Sequence, residues 1–355
     1  MKVLLCERSF SGHRKTYMQW LSRIEGIDFF SYAPENIGFP EERHFPFIYT
    51  TDLASPSNYF AWAKQLRKIV RQNGIDVVHV LDGDGLMRYF GYGLRMPGGC
   101  KVIVTYHHFY GGLPRRTSYR LMNAGRSHRC VVHTDTLQKT LEQYGVSNVE
   151  HCEYPAFDFY KIASLDKTAC QEQFQLNHRT PVIGIVGGLT AYKHILPFLR
   201  ILQRCKNDFQ LLICGRPLEI TENEIEGAIA PYQQKVRTFI RALSDEEYKS
   251  AIAASDIIYC VYGTGFNGAS GPLTDGVCCR KMILSCAHGS LGAITAQHHL
   301  GLTADVTDEA DILRKTEAAL SQADAFEYDR DAEAYREQLR PEHFLETYKR
   351  IYSDI

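Results

Sequence analysis

The sequence predicts an α/β protein of two Rossmann-like domains, each a parallel sheet covered by helices. Short apolar runs of strand type alternate with longer stretches of helical periodicity, as in sheets whose parallel strands are joined by crossover helices. These runs show no alternation of polar and apolar residues, which indicates strands covered on both faces. The length of 355 residues suits two domains of about 150 residues each.

The strand-type runs divide between the two halves of the chain. The first half contains KVLLC, IDVVHVL, KVIVTY and RCVVHT, and the second contains PVIGIVG, FQLLICG, DIIYCVY and KMILSC. Between the halves, a polar stretch near residues 157–180 has no strong strand pattern. We therefore predict an N-terminal domain over residues 1–165 and a C-terminal domain over residues 166–335.

The last segment of the chain, PEHFLETYKRIYSDI, has the periodicity of an amphipathic helix. It begins at a proline, and its apolar side carries Phe344, Tyr348, Ile351 and Tyr352. We expect this helix, within residues 336–355, to pack back on the N-terminal domain.

Composition argues against several classes of protein. Forty Lys and Arg residues balance 41 Asp and Glu residues, so no net field attracts the chain to nucleic acid or to an anionic membrane. The 11 cysteines form no CxxC pair and mostly lie in apolar runs, as free thiols do in a reducing compartment. The first residues are too short in apolar length to predict a signal peptide, and no run of eighteen apolar residues predicts a membrane span. We predict a cytoplasmic protein and leave open a peripheral contact at the inner face of the membrane.

A glycine-bearing strand end in the second half is placed to hold an anion. Ligands of an open parallel sheet bind beyond the carboxyl ends of strands, where helix N-termini present N–H groups. The segment VIGIVGGLTAYKHILPFLRIL combines a strand, Gly187 and Gly188, a loop with Lys193, and a helix. Glycines let backbone N–H groups approach a phosphate, and Lys193 adds a positive charge. The alternative is a tight turn with a solvated lysine.

A second strand end of this kind lies in YCVYGTGFNGASGPLTDGVCCRKMIL. Gly268 and Gly271 permit positive φ or close approach, and Pro272 suits the first helical position. We expect the helix to begin near Ser270 or Gly271, with Asp275 in its first turn. Asp275 is either a partner of the helix dipole or a carboxylate that accepts hydrogen bonds from the vicinal diol of a ribose. The two strand ends together suit a nucleoside diphosphate.

The same residues carry a family resemblance. The second half resembles the donor-binding half of retaining glycosyltransferases with two Rossmann domains (GT-B), close to the family-four glycosyltransferases (group 1). VGGLTAYKH resembles that family's Gly-Arg-Leu, three residues, Lys-Gly pattern, and GFNGASGPLTDGVCCRKMIL falls where the family has its Glu, seven residues, Glu motif. In the first half, SGHRKTYMQWL resembles the glycine loop and helix, and VTYHHF the strand that ends in Thr-x-His. The resemblance covers nearly the whole chain and implies that the two domains face a central cleft.

The resemblance implies roles for individual residues. Lys193 would neutralise the leaving diphosphate, Asp275 would hold the ribose, and His107 would lie against the donor sugar, which makes these three the predicted catalytic residues. Further donor contacts are expected from residues at the strand ends and in the facing domain, namely Gly12, Arg14, Gly187, Gly188, Arg216, Asn267, Gly268, Ser270 and Gly271.

Three positions depart from the family pattern. Gly188 stands where the family usually has a second basic residue, and Arg14 or Arg216 are the candidates to supply that charge. Asn267 occupies the position of the first Glu, and Asp275 is one methylene shorter than the second. These departures leave the donor sugar open, and to a lesser degree activity itself.

The sequence predicts no metal site and no obligatory cofactor. Asp82-Gly83-Asp84 in VLDGDGLM has the DxD pattern with which another glycosyltransferase fold holds a divalent cation, but a Gly-Asp turn is favoured for so short a motif. HExxH, zinc-ligand spacing, a GxSxG elbow and a Walker loop are all missing from the sequence.

The predicted function is transfer of a hexosyl unit from a UDP- or GDP-sugar to a glycan or lipid-linked saccharide, with retention of anomeric configuration. By analogy, this places the protein in polysaccharide biosynthesis. Two alternatives remain open: a nucleotide-sugar epimerase or hydrolase of the same fold, and a catalytically silent nucleotide-sugar-binding subunit.

Overall fold

The computed structural model describes residues 1–10, 14–48, 55–86, 99–108, 112–124, 128–266 and 268–355. Two predicted donor-site residues, Gly12 and Asn267, lie outside these ranges. The chain forms two units, of which the first is Met1–Phe157 with Pro341–Ile355 and the second is Asp158–Arg340. The sequence analysis placed the divisions at residues 165 and 335.

The first unit contains a parallel sheet of seven strands in the order β3-β2-β1-β4-β5-β6-β7. Its strands are β1 (Lys2–Cys6), β2 (Asp28–Ala33), β3 (His44–Pro46), β4 (Val77–Val80), β5 (Lys101–Tyr106), β6 (His128–Val132) and β7 (Val149–His151). Its described helices are α1 (Arg14–Leu21), α2 (Pro56–Asn73), α3 (Gly83–Leu86), α4 (Leu113–Ala124), α5 (Asp135–Gln143) and the last helix of the chain, α15 (Pro341–Ser353).

The second unit contains a parallel sheet of six strands in the order β10-β9-β8-β11-β12-β13. Its strands are β8 (Val182–Val186), β9 (Gln210–Cys214), β10 (Val236–Phe239), β11 (Ile257–Cys260), β12 (Met282–Cys286) and β13 (Gly301–Ala304). Its described helices are α6 (Phe159–Ala163), α7 (Lys167–Gln173), α8 (Ile195–Leu202), α9 (Glu222–Ile229), α10 (Asp245–Ala254), α11 (Gly271–Cys278), α12 (Gly289–Gln297), α13 (Glu309–Gln322) and α14 (Arg330–Gln338).

Both sheets reverse their strand order beside their first strand. In the first unit the chain runs from β1 outward to β3 and then returns to add β4 on the other side of β1, and the second unit repeats this with β8 and β11. Because crossovers in parallel sheets are right-handed, the loops leaving the two central strands diverge and a crevice opens at their carboxyl ends. The ends of β1 and β4, and those of β8 and β11, are therefore the expected ligand positions of the two sheets.

The predicted fold class is confirmed, since every described strand pair is parallel and helices separate successive strands. The buried strands VLLC of β1 and VIGIV of β8 are apolar throughout, as in sheets covered on both faces. Across the described ranges, every helix falls short of the length and apolarity that a bilayer crossing requires.

The last helix completes the core of the first unit. Phe344, Tyr348, Ile351 and Tyr352 of α15 are all buried, in one cluster with Tyr17 and other residues of α1. Phe344 and Tyr17 meet edge to face with ring centroids 5.0 Å apart, a favourable geometry for aromatic pairs. The apolar side predicted from the sequence is the side that packs on this unit.

A buried polar network ties α15 to the sheet. The Tyr348 hydroxyl lies 2.9 Å from Thr105 Oγ1, which lies 2.8 Å from His79 Nε2. On its other side, His79 Nδ1 lies 2.6 Å from the Tyr352 hydroxyl. Burial lowers the pKa of His79 to about 3, so the imidazole is neutral in the folded state at neutral pH. Both ring nitrogens have partners, which offsets the cost of burying them.

This network predicts acid sensitivity of the first unit. His79 has a pKa of about 3 in the folded state and 6.5 as the ordinary value, so between these values the unfolded chain binds the proton more tightly and stability falls as pH falls. We expect the unfolding free energy to decline from pH 6.5 towards pH 3, and to decline less steeply in His79→Gln. Urea unfolding across this range measures both slopes. His343→Gln changes an exposed histidine and should keep the wild-type slope, whereas equal slopes for His79→Gln and wild type would contradict the prediction.

Candidate functional site

The loop after β8 turns sharply at the carboxyl end of the sheet. Gly187 has φ +94°, a left-handed conformation that favours glycine, and its N–H donates to the Cys214 carbonyl at 2.9 Å. A single turn of 3₁₀ helix over Ala191–Lys193 follows, and His194 then takes φ 54° where α8 begins. After this turn, the side chain of Lys193 extends towards Gly187. If Gly187 carried a Cβ, that atom would lie 3.4 Å from Lys193 Nζ.

Lys193 is a buried cation. Its side chain is 6% exposed, and Nζ donates to the Val186 carbonyl at 3.1 Å. Within the described part of the chain, no carboxylate forms an ion pair with it, and burial lowers its pKa to about 8. A buried ammonium without a counter-charge is costly, and an anion that reached it would offset that cost.

The N-terminus of α11 borders the same glycine. Pro272 Cγ would lie 3.7 Å from a Cβ on Gly187. Ser270 is the N-cap, as expected from the sequence, and its Oγ accepts from the Leu273 N–H at 3.4 Å. Since Pro272 has no N–H and that of Leu273 is capped, the backbone donors that this end can offer an anion are those of Ser270 and Gly271. Gly187, Lys193 and the first turn of α11 thus meet at the ends of β8 and β11.

Asp275 lies just beyond the first turn of α11, in which it was predicted. Because the helix begins at Gly271, its first turn contains no acidic residue and Asp275 is its fifth residue. The expectation that Asp275 falls in the first turn was wrong, and the helix-dipole interpretation weakens with it, since that effect fades beyond the first turn. The Asp275 carboxylate accepts instead a hydrogen bond of 2.8 Å from the Tyr248 hydroxyl of α10.

Tyr248 holds the Asp275 carboxylate in one orientation. Burial and the nearby charge of Asp275 raise the pKa of Tyr248 well above its usual value, so the phenol stays protonated and donates. Sequence reasoning missed Tyr248, which lies in the polar-looking run LSDEEYKSAI. Its distance along the chain from Asp275 gives no hint of the contact, because α10 and α11 are brought together by tertiary packing.

Tyr248→Phe is expected to weaken nucleoside-diphosphate binding by roughly five- to tenfold, because Asp275 loses the hydrogen bond that orients it. The free energy of unfolding should change by about 1 kcal/mol or less, since the ring and its packing remain. Titration of UDP and GDP into wild type and variant measures the first, and urea unfolding the second. Tyr232→Phe removes another hydroxyl in the same unit, one that donates to the Leu199 carbonyl at 2.7 Å, and should leave affinity unchanged. Equal affinities for Tyr248→Phe and wild type would show that the Tyr248 hydrogen bond does not position Asp275 for the ligand.

The remaining described donor residues predicted in the second unit lie in the loops that follow β8, β9 and β11. A Cβ on Gly188 would lie 2.9 Å from Leu218 Cδ1, the end of an exposed side chain that can move aside. Arg216 is exposed, and its carbonyl accepts from the Leu189 N–H at 2.9 Å. The carbonyl of Gly268 accepts from Ser290 Oγ at 2.8 Å, which anchors the loop before α11 to α12.

In the first unit, Arg14 lies at the ends of β1 and β4. Its Nη1 forms ion pairs with Glu7 at 3.0 Å and with Asp82 at 2.9 Å, and Arg8 also pairs with Asp82. Both acids are fully buried. Burial raises the pKa of Glu7 to about 7, whereas Arg14 and Arg8 overcome burial and hold the pKa of Asp82 below its usual value. The charge of Arg14 is thus balanced by two carboxylates of its own unit.

Asp82 directly precedes α3, and its Oδ1 accepts from the Gly85 N–H at 3.1 Å. Sequence reasoning missed Glu7. Its signal was present, since an acid directly after the covered strand KVLLC falls at a strand end where ligands bind. Within the described residues, no group of three or more His, Cys, Asp or Glu side chains is arranged to hold a metal ion.

His107 follows β5 and packs among aromatic side chains of the first unit. Its ring centroid lies 5.4 Å from that of Tyr17 and 5.1 Å from that of His133. Burial, with smaller contributions from His133 and Arg14, holds the pKa of His107 well below its usual value. The imidazole is therefore neutral at physiological pH and suited to hydrogen bonding rather than to charge neutralisation.

Comparisons with known proteins agree with this architecture. A profile of Glycosyltransferase Family 4 matches residues 17–152, within the first unit. No curated protein sequence matches the chain significantly.

Similar solved structures span the whole chain. A glycosyltransferase from Rickettsia africae has a TM-score of 0.77 at 17% identity, covering 99% of this chain and 98% of the other. Sucrose-phosphate synthase from Thermosynechococcus elongatus has a TM-score of 0.75 at 13% identity, covering 100% and 98%. HepE from Anabaena in complex with UDP-glucose has a TM-score of 0.72 at 11% identity, covering 100% of both chains. The fold is that of GT-B glycosyltransferases, which confirms at the level of the fold the resemblance stated from the sequence. Retention of anomeric configuration stays a prediction.

Proposed function

We propose that this chain, with its GT-B fold and its match to Glycosyltransferase Family 4 over residues 17–152, transfers a hexosyl unit from a nucleotide-diphosphate sugar to a glycan or lipid-linked saccharide. The observation that carries the proposal is the buried ammonium of Lys193, which lacks a described counter-charge and borders both Gly187 and the first turn of α11. A diphosphate supplies the charge that this arrangement requires. The UDP-glucose bound to HepE makes a UDP-sugar the first donor to test.

The reaction proposed for these residues is a transfer with retention. The bond from the anomeric carbon to the diphosphate oxygen breaks, and the acceptor hydroxyl forms a new bond on the same face of the sugar. The departing phosphate oxygen takes the acceptor's proton. Lys193 and the Ser270 and Gly271 N–H groups stabilise the negative charge that develops on the phosphate, which is the largest catalytic term available without a protein nucleophile. Asp275 accepts hydrogen bonds from the ribose hydroxyls.

The first experiment is thermal unfolding against UDP, GDP, ADP and CMP, with and without Mg²⁺. Wild type, Lys193→Ala and Asp275→Ala are compared. A ligand at about a hundred times its dissociation constant should add roughly 2.7 kcal/mol of stability. We expect stabilisation by one diphosphate that both substitutions weaken. If no nucleotide raises the unfolding temperature, the proposal is overturned and only the assignment of the fold remains.

Product analysis separates transfer from the two alternatives. With the matching nucleotide sugar and no acceptor, an epimerase or hydrolase forms product, whereas a transferase requires added glycan. A silent subunit would bind nucleotide and turn over no donor with any acceptor. The anomeric configuration of the product, read by nuclear magnetic resonance, tests retention.

We further propose a peripheral contact with the inner face of the membrane through α2. This helix carries no acidic residue and exposes Lys64, Lys68 and Arg71 along one side, with Phe60 48% exposed one turn before them. Each basic residue near an anionic surface contributes about 1 kcal/mol. Flotation with vesicles containing phosphatidylglycerol should recover the wild type, and Lys64→Glu with Lys68→Glu should abolish recovery. Equal recovery with neutral vesicles would contradict a contact of this kind.

A further inference from the structure

Two exposed apolar side chains flank the loop that carries Lys193. Among the described residues of the second unit, the large apolar side chains most exposed to solvent are Leu218 at 56%, Tyr160 at 54% and Tyr192 at 44%. Tyr192 directly precedes Lys193, and Leu218 packs over Gly188. Apolar and aromatic surface beside a few polar groups is the usual composition of a small-molecule site.

Tyr192 is held in a fixed orientation by its neighbours. Its ring stacks on that of Phe266, with centroids 5.2 Å apart and an interplanar angle of 16°. Tyr262 meets Tyr192 and Phe266 edge on, at 5.7 Å and 5.1 Å. The Tyr192 carbonyl accepts from the Gly263 N–H at 2.7 Å. We call the stacked pair of Tyr192 and Phe266 the aromatic platform; Phe266 stacks on one face of Tyr192, which remains 44% exposed.

The aromatic platform is continuous with the groups proposed for the diphosphate. The ring of Tyr262 lies with its centroid 5.7 Å from Lys193 Nζ. The hydroxyl of the same residue lies 3.1 Å from Ser270 Oγ, at the N-terminus of α11. Tyr262 therefore links the platform, the buried cation and the helix terminus through direct contacts, so the platform adjoins this site rather than a separate surface.

We propose that the aromatic platform stacks against the sugar ring of the nucleotide sugar. The inference rests on the function proposed above and names which part of the donor this surface receives. In a nucleotide sugar, the sugar and the ribose are the two groups attached directly to the diphosphate. Asp275 and Tyr248 are the proposed partners of the ribose, and the base lies beyond it. The sugar is the remaining ring within reach of a surface that adjoins Lys193.

The chemistry of the platform suits a neutral pyranose. The C–H groups on one face of a hexose form an apolar patch that packs on the face of an aromatic ring, while the hydroxyl groups point outward and remain hydrated. Leu218 extends this apolar surface over Gly188, where the family pattern has a basic residue. The loop therefore offers the sugar an apolar contact at Gly188, and its buried positive charge is that of Lys193.

The test compares UDP with UDP-glucose as titrants, using wild type, Tyr192→Phe and Tyr192→Ala. Tyr192→Phe keeps the ring and should bind both ligands as the wild type does. Tyr192→Ala should bind UDP normally and UDP-glucose roughly three- to tenfold more weakly, the range typical of a lost aromatic stacking contact. Thermal unfolding confirms that each variant is folded. Tyr192→Leu repeats the comparison with a side chain that still covers Phe266 but has no ring.

Other outcomes separate this inference from the function on which it rests. Equal weakening of UDP and UDP-glucose by Tyr192→Ala would assign the platform to the base or to loop structure and overturn the inference alone. Unchanged affinity for both ligands in Tyr192→Ala and Tyr192→Leu would also overturn it. Failure of wild type to bind any nucleoside diphosphate would remove the proposed function, and the inference with it.

Discussion

Lys193→Met is expected to stabilise the unliganded protein and to weaken its affinity for a nucleoside diphosphate. Burial lowers the pKa of Lys193 from 10.5 to about 8, so the folded state holds this proton less tightly than the unfolded chain does. Each pKa unit corresponds to about 1.4 kcal/mol, which puts the cost of the buried charge at roughly 3 kcal/mol below pH 8. Methionine fills a similar volume without the charge and should recover much of that energy.

The pH dependence of the unfolding free energy tests independently whether the charge of Lys193 destabilises the folded state. Below the folded-state pKa of about 8, the buried charge of Lys193 exerts its whole destabilising effect. This effect disappears as pH rises towards 10.5, because the lysine then loses its proton in the unfolded chain as well. Wild-type stability should therefore rise between pH 8 and pH 10.5 relative to Lys193→Met. Urea unfolding at pH 7 and at pH 10 measures the difference. A variant less stable than wild type at pH 7 would show that the ammonium already has a compensating anion.

The same substitution should lower kcat by roughly a hundred- to thousandfold, the effect of removing one preorganised group that stabilises developing negative charge. Lys193→Ala should do likewise, and should lower turnover far more than stability. Lys281→Met is the matched control, because Lys281 is also buried, donates to the Ala253 carbonyl at 2.6 Å and has a lowered pKa. This variant should keep wild-type affinity and turnover. Loss of nucleotide binding in both variants would point to a general effect on folding.

Asp82→Ala is expected to destabilise the first unit by about 3–5 kcal/mol, the cost of removing one partner from a buried ion pair. The Asp82 carboxylate is fully buried and balances Arg14 and Arg8. Without it, Arg14 retains Glu7 alone, and the pKa of Glu7 should fall because one of the causes that raise it is the charge of Asp82. Urea unfolding at neutral pH measures the loss of stability.

Asp28→Ala serves as the control for Asp82→Ala. Asp28 pairs with Arg43 at 3.3 Å, and both side chains are well exposed. An exposed pair contributes at most about 1 kcal/mol, so this variant should remain close to wild type. A similar loss of unfolding free energy in the two variants would contradict the prediction, since it would show that the buried carboxylate contributes no more than the exposed one.

Local sequence patterns anticipated the strand ends that form the candidate site. The glycine turn before Lys193 and the N-cap at Ser270 both depend on residues a few positions apart, and both occur in the structure. The start of α11 was placed correctly, but Asp275 is its fifth residue and lies just beyond the first turn to which it was assigned.

Local sequence patterns did not predict the contacts between segments that are far apart in the chain. Tyr248 reaches Asp275 from the preceding helix, and Arg14 pairs with both Glu7 and Asp82 at the ends of β1 and β4. Each partner is an ordinary polar residue in its own segment. Helix and strand periodicity specify which face of an element is apolar, but they carry no information about which polar side chain a neighbouring element presents.

The sequence by itself determined the fold class, the strand ends at which ligands are expected and the side of the last helix that packs on the first unit. These features follow from local periodicity, turn chemistry and the geometry shared by parallel sheets. The tertiary structure decided that Lys193 is buried without a described counter-charge, that Asp275 has Tyr248 as its partner and that Tyr192 stacks on Phe266. Burial and pairing depend on packing between segments far apart in the chain, which local pattern does not encode.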